Sequence, residues 1–189
     1  RKYRELDLPD ETLCDLIEQE SGRHKSERET LQAARERLHN LVASYLGDPD
    51  YPAAKVQLDA AYSSGNPEAI QIICAELLKT HASTRERLAY QLEFYAAIFA
   101  VTGVPSTLLD LACGLNPLAF GWMGLPLTTH YHAYDLHQPR VELINHYFKL
   151  QGLAELAEHG DILVHPPQIR AEVAFFFKEA HRFEQRRRG

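Results

Sequence analysis

The run Leu108-Leu-Asp-Leu-Ala-Cys-Gly-Leu-Asn-Pro117, followed by Ala133-Tyr-Asp135, constrains this chain more than any other feature. The first run is apolar and ends in a tight turn at Gly114. It reads as a buried parallel strand that brings Asp110 and a glycine turn to the C-terminal edge of a sheet. Tyr131 to Asp135 reads as a second strand ending in a second carboxylate, 21 residues after Gly114. A glycine turn at one strand end and an acid about 20 residues on is how a doubly wound sheet receives a nucleoside cofactor. The turn lets backbone approach the ligand, and the acid accepts hydrogen bonds from ribose hydroxyls.

The turn has one glycine where a dinucleotide fold wants three. After Gly114 come Leu115, Asn116, Pro117 and Leu118, so no phosphate cradle is evident. That disfavours a nicotinamide-dependent oxidoreductase and suits a nucleoside cofactor without phosphates, of which S-adenosylmethionine is the common one. The bland alternative is an ordinary βαβ turn with no ligand. Asp161, after Gly160, would stand at the next strand end, near an adenine amino group. Its alternative is a turn aspartate.

The first hundred residues read as helices, over Pro9–Glu20, Ser26–Leu46, Ala53–Tyr62, Glu68–Lys79 and Thr84–Val101. Ser83 with Glu86 predicts a capping box for the last of these, and Gly103 closes it. From Pro105 the period changes. Strands are expected at Thr107–Ala112, Tyr131–Asp135, Glu155–His159 and Val173–Lys178, with helices at Pro117–Met123 and Val141–Leu150. Strands alternating with helices imply parallel pairing. The expected organisation is an all-helical region over 1–104 and an α/β, Rossmann-like domain over 105–189. A sheet of this type usually has seven strands. The chain starts at Arg1 and stops soon after the fourth, so a fragment with a truncated sheet is expected.

Composition bounds the rest. The 189 residues carry a net charge of −6, which argues mildly against nucleic acid as a partner. The distribution matters more. Arg23, Lys25 and Arg28 concentrate positive charge early, and Arg182 and Arg186 to Arg188 do so late. No run approaches 18 apolar residues and no start resembles a signal peptide, so no membrane is expected. Three scattered cysteines, Cys14, Cys74 and Cys113, suggest reduced thiols in a cytoplasmic protein. His130, His132 and His137 lack the spacing of a zinc site, and no metal is expected.

Seven blocks occur in a fixed order: His81-Ala-Ser-Thr-Arg-Glu-Arg87, Phe94-Tyr-Ala-Ala-Ile-Phe99, Leu108 to Pro117, Trp122-Met123, Ala133-Tyr-Asp135, Gly160-Asp161, and Phe177-Lys178 with Glu184-Gln185. Together they closely resemble the aminoglycoside-resistance 16S rRNA (guanine-N7) methyltransferases, over essentially the whole chain. The resemblance implies a class I methyltransferase fold, S-adenosylmethionine as cofactor, and 16S rRNA within the 30S subunit as partner. It implies that His81, Ser83, Arg87, Asp110, Ala112, Gly114, Asn116, Asp135 and Asp161 form the cofactor site. Arg87 would clamp the methionine carboxylate, a role its guanidinium geometry allows. Without the resemblance, Arg87 reads as a surface ion pair with Glu86 or Glu93. Lys178 and Glu184 are implied to matter for activity. At His137 the family usually has an acid.

Guanine N7 carries a lone pair and no proton, so its methylation needs no general base. The absence of a Ser/His/Asp or Cys/His constellation agrees with that. Two other readings stay open: a methyltransferase of another RNA or small molecule, and a non-catalytic ribosome-binding relative.

Overall fold

The computed structural model describes residues 7–42 and 47–177. Helices α1 (Asp10–Ser21) and α2 (Glu27–Val42) pack on each other. Helices α3 (Tyr51–Ser63) and α4 (Pro67–Thr80) follow as a second pair. Both members of this pair start where the sequence supplies a cap. The Asp50 carboxylate accepts from the Ala53 N–H at 3.0 Å, and the Asn66 side chain accepts from the Glu68 N–H at 2.9 Å. Each satisfies an amide that the first helical turn leaves orphaned, and each is followed by a proline in that turn.

The single helix expected over Thr84–Val101 is broken. A short helix α5 (Ala82–Arg85) leads into a 3-10 turn (Leu88–Tyr90) and then helix α6 (Gln91–Thr102). The capping box does not form either. The Glu86 N–H donates to the Ala82 carbonyl at 3.2 Å, and the Ser83 hydroxyl accepts from Arg87 at 3.3 Å instead. The Thr84 hydroxyl donates back to the carbonyls of Leu78 and His81, a side-chain bond that competes with helix continuation. The break turns the Arg87 guanidinium towards the sheet edge.

Strands β1 (Thr107–Leu111), β2 (His130–Asp135), β3 (Ala157–His159) and β4 (Val173–Phe175) form one parallel sheet in the order β3-β2-β1-β4. Between β1 and β2 lie a 3-10 turn (Asn116–Ala119) and helix α7 (Phe120–Met123), where a single helix was expected from Pro117. Helix α8 (Gln138–Gln151) connects β2 to β3 and ends at Gly152 in the left-handed region. The expected strands are present, the third and fourth shorter than read. Among the described residues no helix is long and apolar enough to cross a membrane.

Period-two alternation sorts the strand residues by face. Leu108, Tyr131, Ala133, Val173 and Phe175 face a large core that also holds Leu58 of α3, Leu78 of α4, Tyr95 of α6 and Ile144 of α8. Leu109 and Tyr134 face the other way, onto a small cluster with Ile162. Phe175 and Phe177 stack at 4.7 Å on the large-core side, while Phe176 joins the small cluster. The run of three phenylalanines therefore serves both faces.

Because α3 and β1 share one core, they should melt together. Leu58→Ala and Leu108→Ala each remove a fully buried side chain. Each is expected to cost about 2–5 kcal/mol and to shift one and the same unfolding transition, followed in urea by fluorescence and circular dichroism.

Candidate functional site

The C-terminal edge of the sheet gathers most of the residues singled out in the sequence. After β1 the backbone enters the left-handed region twice, at Ala112 (φ 52°) and at Gly114 (φ 56°). For Ala112 that conformation is strained by roughly 1–2 kcal/mol. Strain of this kind persists where the surroundings over-determine it, as at ligand turns. The Cys113 N–H anchors the turn on the Tyr134 carbonyl at 2.9 Å. Gly114 is required twice over. Its φ suits glycine, and a Cβ there would come within 2.8 Å of Cε1 of His81, whose ring lies over the turn.

Asp110 and Asn116 are each 1 % exposed and form one buried network. The Asn116 Nδ2 donates to Asp110 Oδ2 at 2.8 Å and to the Tyr131 hydroxyl at 3.3 Å. The Tyr131 hydroxyl in turn donates to Asp110 Oδ2 at 2.7 Å. The Asn116 Oδ1 accepts from the Tyr95 hydroxyl at 2.6 Å and from Arg87 at 3.0 Å. Asn116 thus joins the β1 carboxylate to the half-buried Arg87. The Arg87 guanidinium also lies over the rings of Phe177, at 4.7 Å, and Phe94, at 5.5 Å. Burial pushes the Asp110 carboxyl up to about 6, against the lowering pull of Tyr131, Asn116 and Arg87.

Asp135, 5 % exposed, sits in a second network. Its Oδ2 accepts from the Gly114 N–H at 2.9 Å, so the glycine turn and the β2 acid form one site. Its Oδ1 accepts from the His137 N–H at 3.0 Å. Arg140, on the first turn of α8, donates Nη1 to both oxygens, at 3.1 and 3.0 Å. Its Nη2 donates to both oxygens of Asp48, each at 2.7 Å. Asp48 also accepts from the Tyr51 hydroxyl and lies 3.1 Å from Nδ1 of His137. Burial would raise the Asp48 carboxyl. His137, Arg140 and Tyr51 outweigh it and hold the group at about 2. Sequence reading singled out neither Arg140 nor Asp48. The one local hint is a charged residue beside Val141 at the start of an amphipathic helix.

Asp161 is 4 % exposed, after β3. Its Oδ2 accepts from the Thr12 hydroxyl of α1 at 3.0 Å, and its Oδ1 caps the Leu163 N–H at 2.9 Å. Arg23, Lys25 and Arg28 lie at the far end of α1 and the start of α2, and all three are exposed. Glu20 of α1 draws in Arg23 at 3.5 Å and His24 at 3.0 Å from the link that follows, and Arg37 of α2 at 2.6 Å, and the last of these ties the two helices together. Lys178 and Glu184 lie outside the described residues. Phe120 is buried in the core near Tyr131, and Trp122 packs against that core. Cys113 is buried, and burial pushes its thiol well up, as suits a packing group. Two clefts, of about 320 and 300 Å³, lie between α1 and α2 and beside Trp122, neither of them at the sheet edge. Among the described residues no group of three His, Cys, Asp or Glu could hold a metal ion.

The profile of the ribosomal RNA methyltransferase (FmrO) family matches residues 1–189. The chain is 37 % identical over 166 residues to a 16S rRNA (guanine(1405)-N(7))-methyltransferase of Frankia casuarinae, covering 86 % of this chain and 58 % of that protein. It therefore spans little more than half the length of that relative. Its fold matches the 16S rRNA methylase RmtB with a TM-score of 0.79 and 32 % identity, over 100 % of this chain and 71 % of that one. The methyltransferase RmtF, solved with S-adenosylhomocysteine, matches with a TM-score of 0.73 and 28 % identity, over 97 % and 67 % of the two chains.

The raised Asp110 carboxyl has a consequence for stability. Its ordinary value is 3.8, and in the fold it is about 6. Between the two, the folded state holds a proton that the unfolded state has lost. Stability therefore falls as pH rises through that window and levels off above it, by at most about 3 kcal/mol. Asp110→Asn keeps an oxygen for Tyr131 and Asn116 to donate to. It should flatten that fall in urea unfolding measured from pH 4 to pH 7. Asp48 acts below this window, between 3.8 and about 2, and with the opposite sign.

Proposed function

This chain belongs to the ribosomal RNA methyltransferase (FmrO) family, and from that premise we propose that it binds S-adenosylmethionine at the sheet edge and methylates N7 of a decoding-site guanine in 16S rRNA of the 30S subunit, giving aminoglycoside resistance. The observation that carries the cofactor reading is the bond from the Gly114 N–H to Asp135 Oδ2, which makes the two separated sequence signals one site. The substrate reading rests on the relatives, named as 16S rRNA guanine-N7 methyltransferases.

The residues present fit such a cofactor. The left-handed turn at Ala112 and Gly114 exposes backbone to close approach. Ser83 accepts from Nη1 of Arg87 and Asn116 from Nη2, and each terminal nitrogen keeps a second N–H with which to meet a carboxylate. Asp135 stands at the strand end where a ribose would lie, and Asp161 where an adenine amino group would lie. His81 closes over the turn. When bound, the cofactor supplies an electrophilic methyl on a sulfonium.

The chain's own task follows from that chemistry. The guanine N7 lone pair forms the new bond to the methyl carbon as the carbon–sulfur bond breaks, and the sulfur keeps that pair and loses its charge. No proton moves, so no general base is needed. The protein has to orient N7 along the carbon–sulfur axis and exclude water. The helical region over 1–104 would grip folded rRNA through phosphates and shape, with Arg23, Lys25 and Arg28 on its exposed end. Lys178 and Glu184 are assigned to the substrate side on the resemblance alone. The reaction would run in the cytoplasm, where small subunits are found.

Purified protein incubated with 30S subunits and methyl-labelled S-adenosylmethionine tests the function. Label should enter 16S rRNA as N7-methylguanine, read by borohydride reduction and aniline cleavage. Label in another RNA or in a small molecule only would overturn it. For the cofactor, Arg87→Ala should weaken S-adenosylhomocysteine binding in calorimetry by about 1.5–3 kcal/mol, the worth of a hydrogen bond to a charged group. For the substrate, Lys25→Glu with Arg28→Glu should weaken subunit binding and flatten its salt dependence, with cofactor affinity unchanged. Subunit methylation that survives this change at every salt concentration would mark the basic end as a solvated surface.

A further inference from the structure

Arg140 is 1 % exposed and stands on the first turn of α8. A cation there opposes the helix dipole, and a buried one is costly without partners. Its place is set instead by two carboxylates, Asp135 on Nη1 and Asp48 on Nη2. Asp48 precedes α3 and is itself only 8 % exposed at its side chain. The guanidinium fork is the one side chain able to span two carboxylates in this way.

A carboxylate has about four lone-pair sites. Asp135 spends all four: on the Gly114 N–H, on the His137 N–H, and twice on Arg140 Nη1. The first two donors are backbone, fixed by the glycine turn and by the start of α8. A ribose hydroxyl donating to Asp135 must therefore take a site from Arg140. Asp48 makes that exchange possible, because it holds the other nitrogen at 2.7 Å through both of its oxygens.

We propose that Arg140 and Asp48 are positioning residues for the cofactor ribose: Arg140 fixes the Asp135 carboxylate and yields one of its lone pairs to the ribose, while Asp48 retains Arg140. Neither residue need touch the cofactor. Asp48 thereby links the helical region to the cofactor edge. The inference rests on the cofactor reading above.

A double-mutant cycle on the purified protein tests it, read by calorimetric S-adenosylhomocysteine affinity, with thermal melts to confirm folding. Asp48→Asn keeps the shape and removes the charge, so Arg140 is drawn wholly onto Asp135. Binding should weaken tenfold or more. In an Asp135→Asn background, which itself binds more weakly, the same change should cost less than twofold. Arg140→Lys, which keeps the charge but cannot span both carboxylates, should behave like Asp48→Asn and covers the case where that variant does not fold. Wild-type affinity in either folded variant overturns the inference and leaves the cofactor reading intact. A loss of equal size in both backgrounds also overturns it, because the effect then does not pass through Asp135. If the wild-type protein binds no S-adenosylhomocysteine, the cofactor reading fails and takes the inference with it.

Discussion

Two carboxylates buried at neighbouring strand ends govern this structure. Asp110, next to last in β1, and Asp135, last in β2, lie on the same face, and a buried carboxylate is costly until it is neutralised or fully hydrogen-bonded. The chain solves the two cases differently. Asp110 meets neutral donors, the Tyr131 hydroxyl and the Asn116 amide, which pull its carboxyl down but do not offset burial, so its proton is held more tightly. Asp135 meets a guanidinium and two backbone N–H groups. The charge on Asp135 is one of the influences that lift Asp110.

These solutions dictate where the helices go. Arg87 reaches Asn116 only because the chain breaks between α5 and α6. Tyr90, at the break, has φ −137° and ψ 26°, outside the helical region. The apolar period runs through the break without interruption, as Leu88, Leu92, Tyr95 and Phe99 show. A reading by periodicity therefore gives one helix, and the tertiary pull on Arg87 gives two. The same competition removes the capping box, because the Ser83 hydroxyl accepts from the Arg87 guanidinium rather than from the Glu86 amide.

What was legible in the sequence was local. The strands, the glycine turn and the acid at the end of β2 follow from period, composition and spacing within about thirty residues. The caps at Asp50 and Asn66, single residues beside prolines, were not read from the sequence. The remainder of the site is made by residues far apart in the chain. Arg140 and Asp48 are separated by 92 positions, and Thr12 and Asp161 by 149. Nothing in one sequence marks such pairs, since each member alone reads as a surface charge, a turn residue or a helix hydroxyl. The basic cluster was legible as charge but not as structure. Glu20, buried beneath it, holds Arg23 beside the end of α1 and makes Arg37 of α2 the fastening between the two helices.

Side chains from several parts of the helical region end on the sheet edge, among them Thr12 on Asp161, Asp48 on Arg140, and Arg87 and Tyr95 on Asn116. Arg140 is in turn joined to the glycine turn, since it meets Asp135, Asp135 meets Gly114, and His81 covers Gly114 from the end of α4. Groups bonded in one chain of contacts do not respond independently, and changes at neighbouring members do not add. A substitution in the loop before α3 can therefore act at the end of β2 without any contact of its own there. Helices α3, α4 and α6 share one core with the sheet, α1 reaches its edge through Thr12 on Asp161, and the buried carboxylates are the fixed points of that edge.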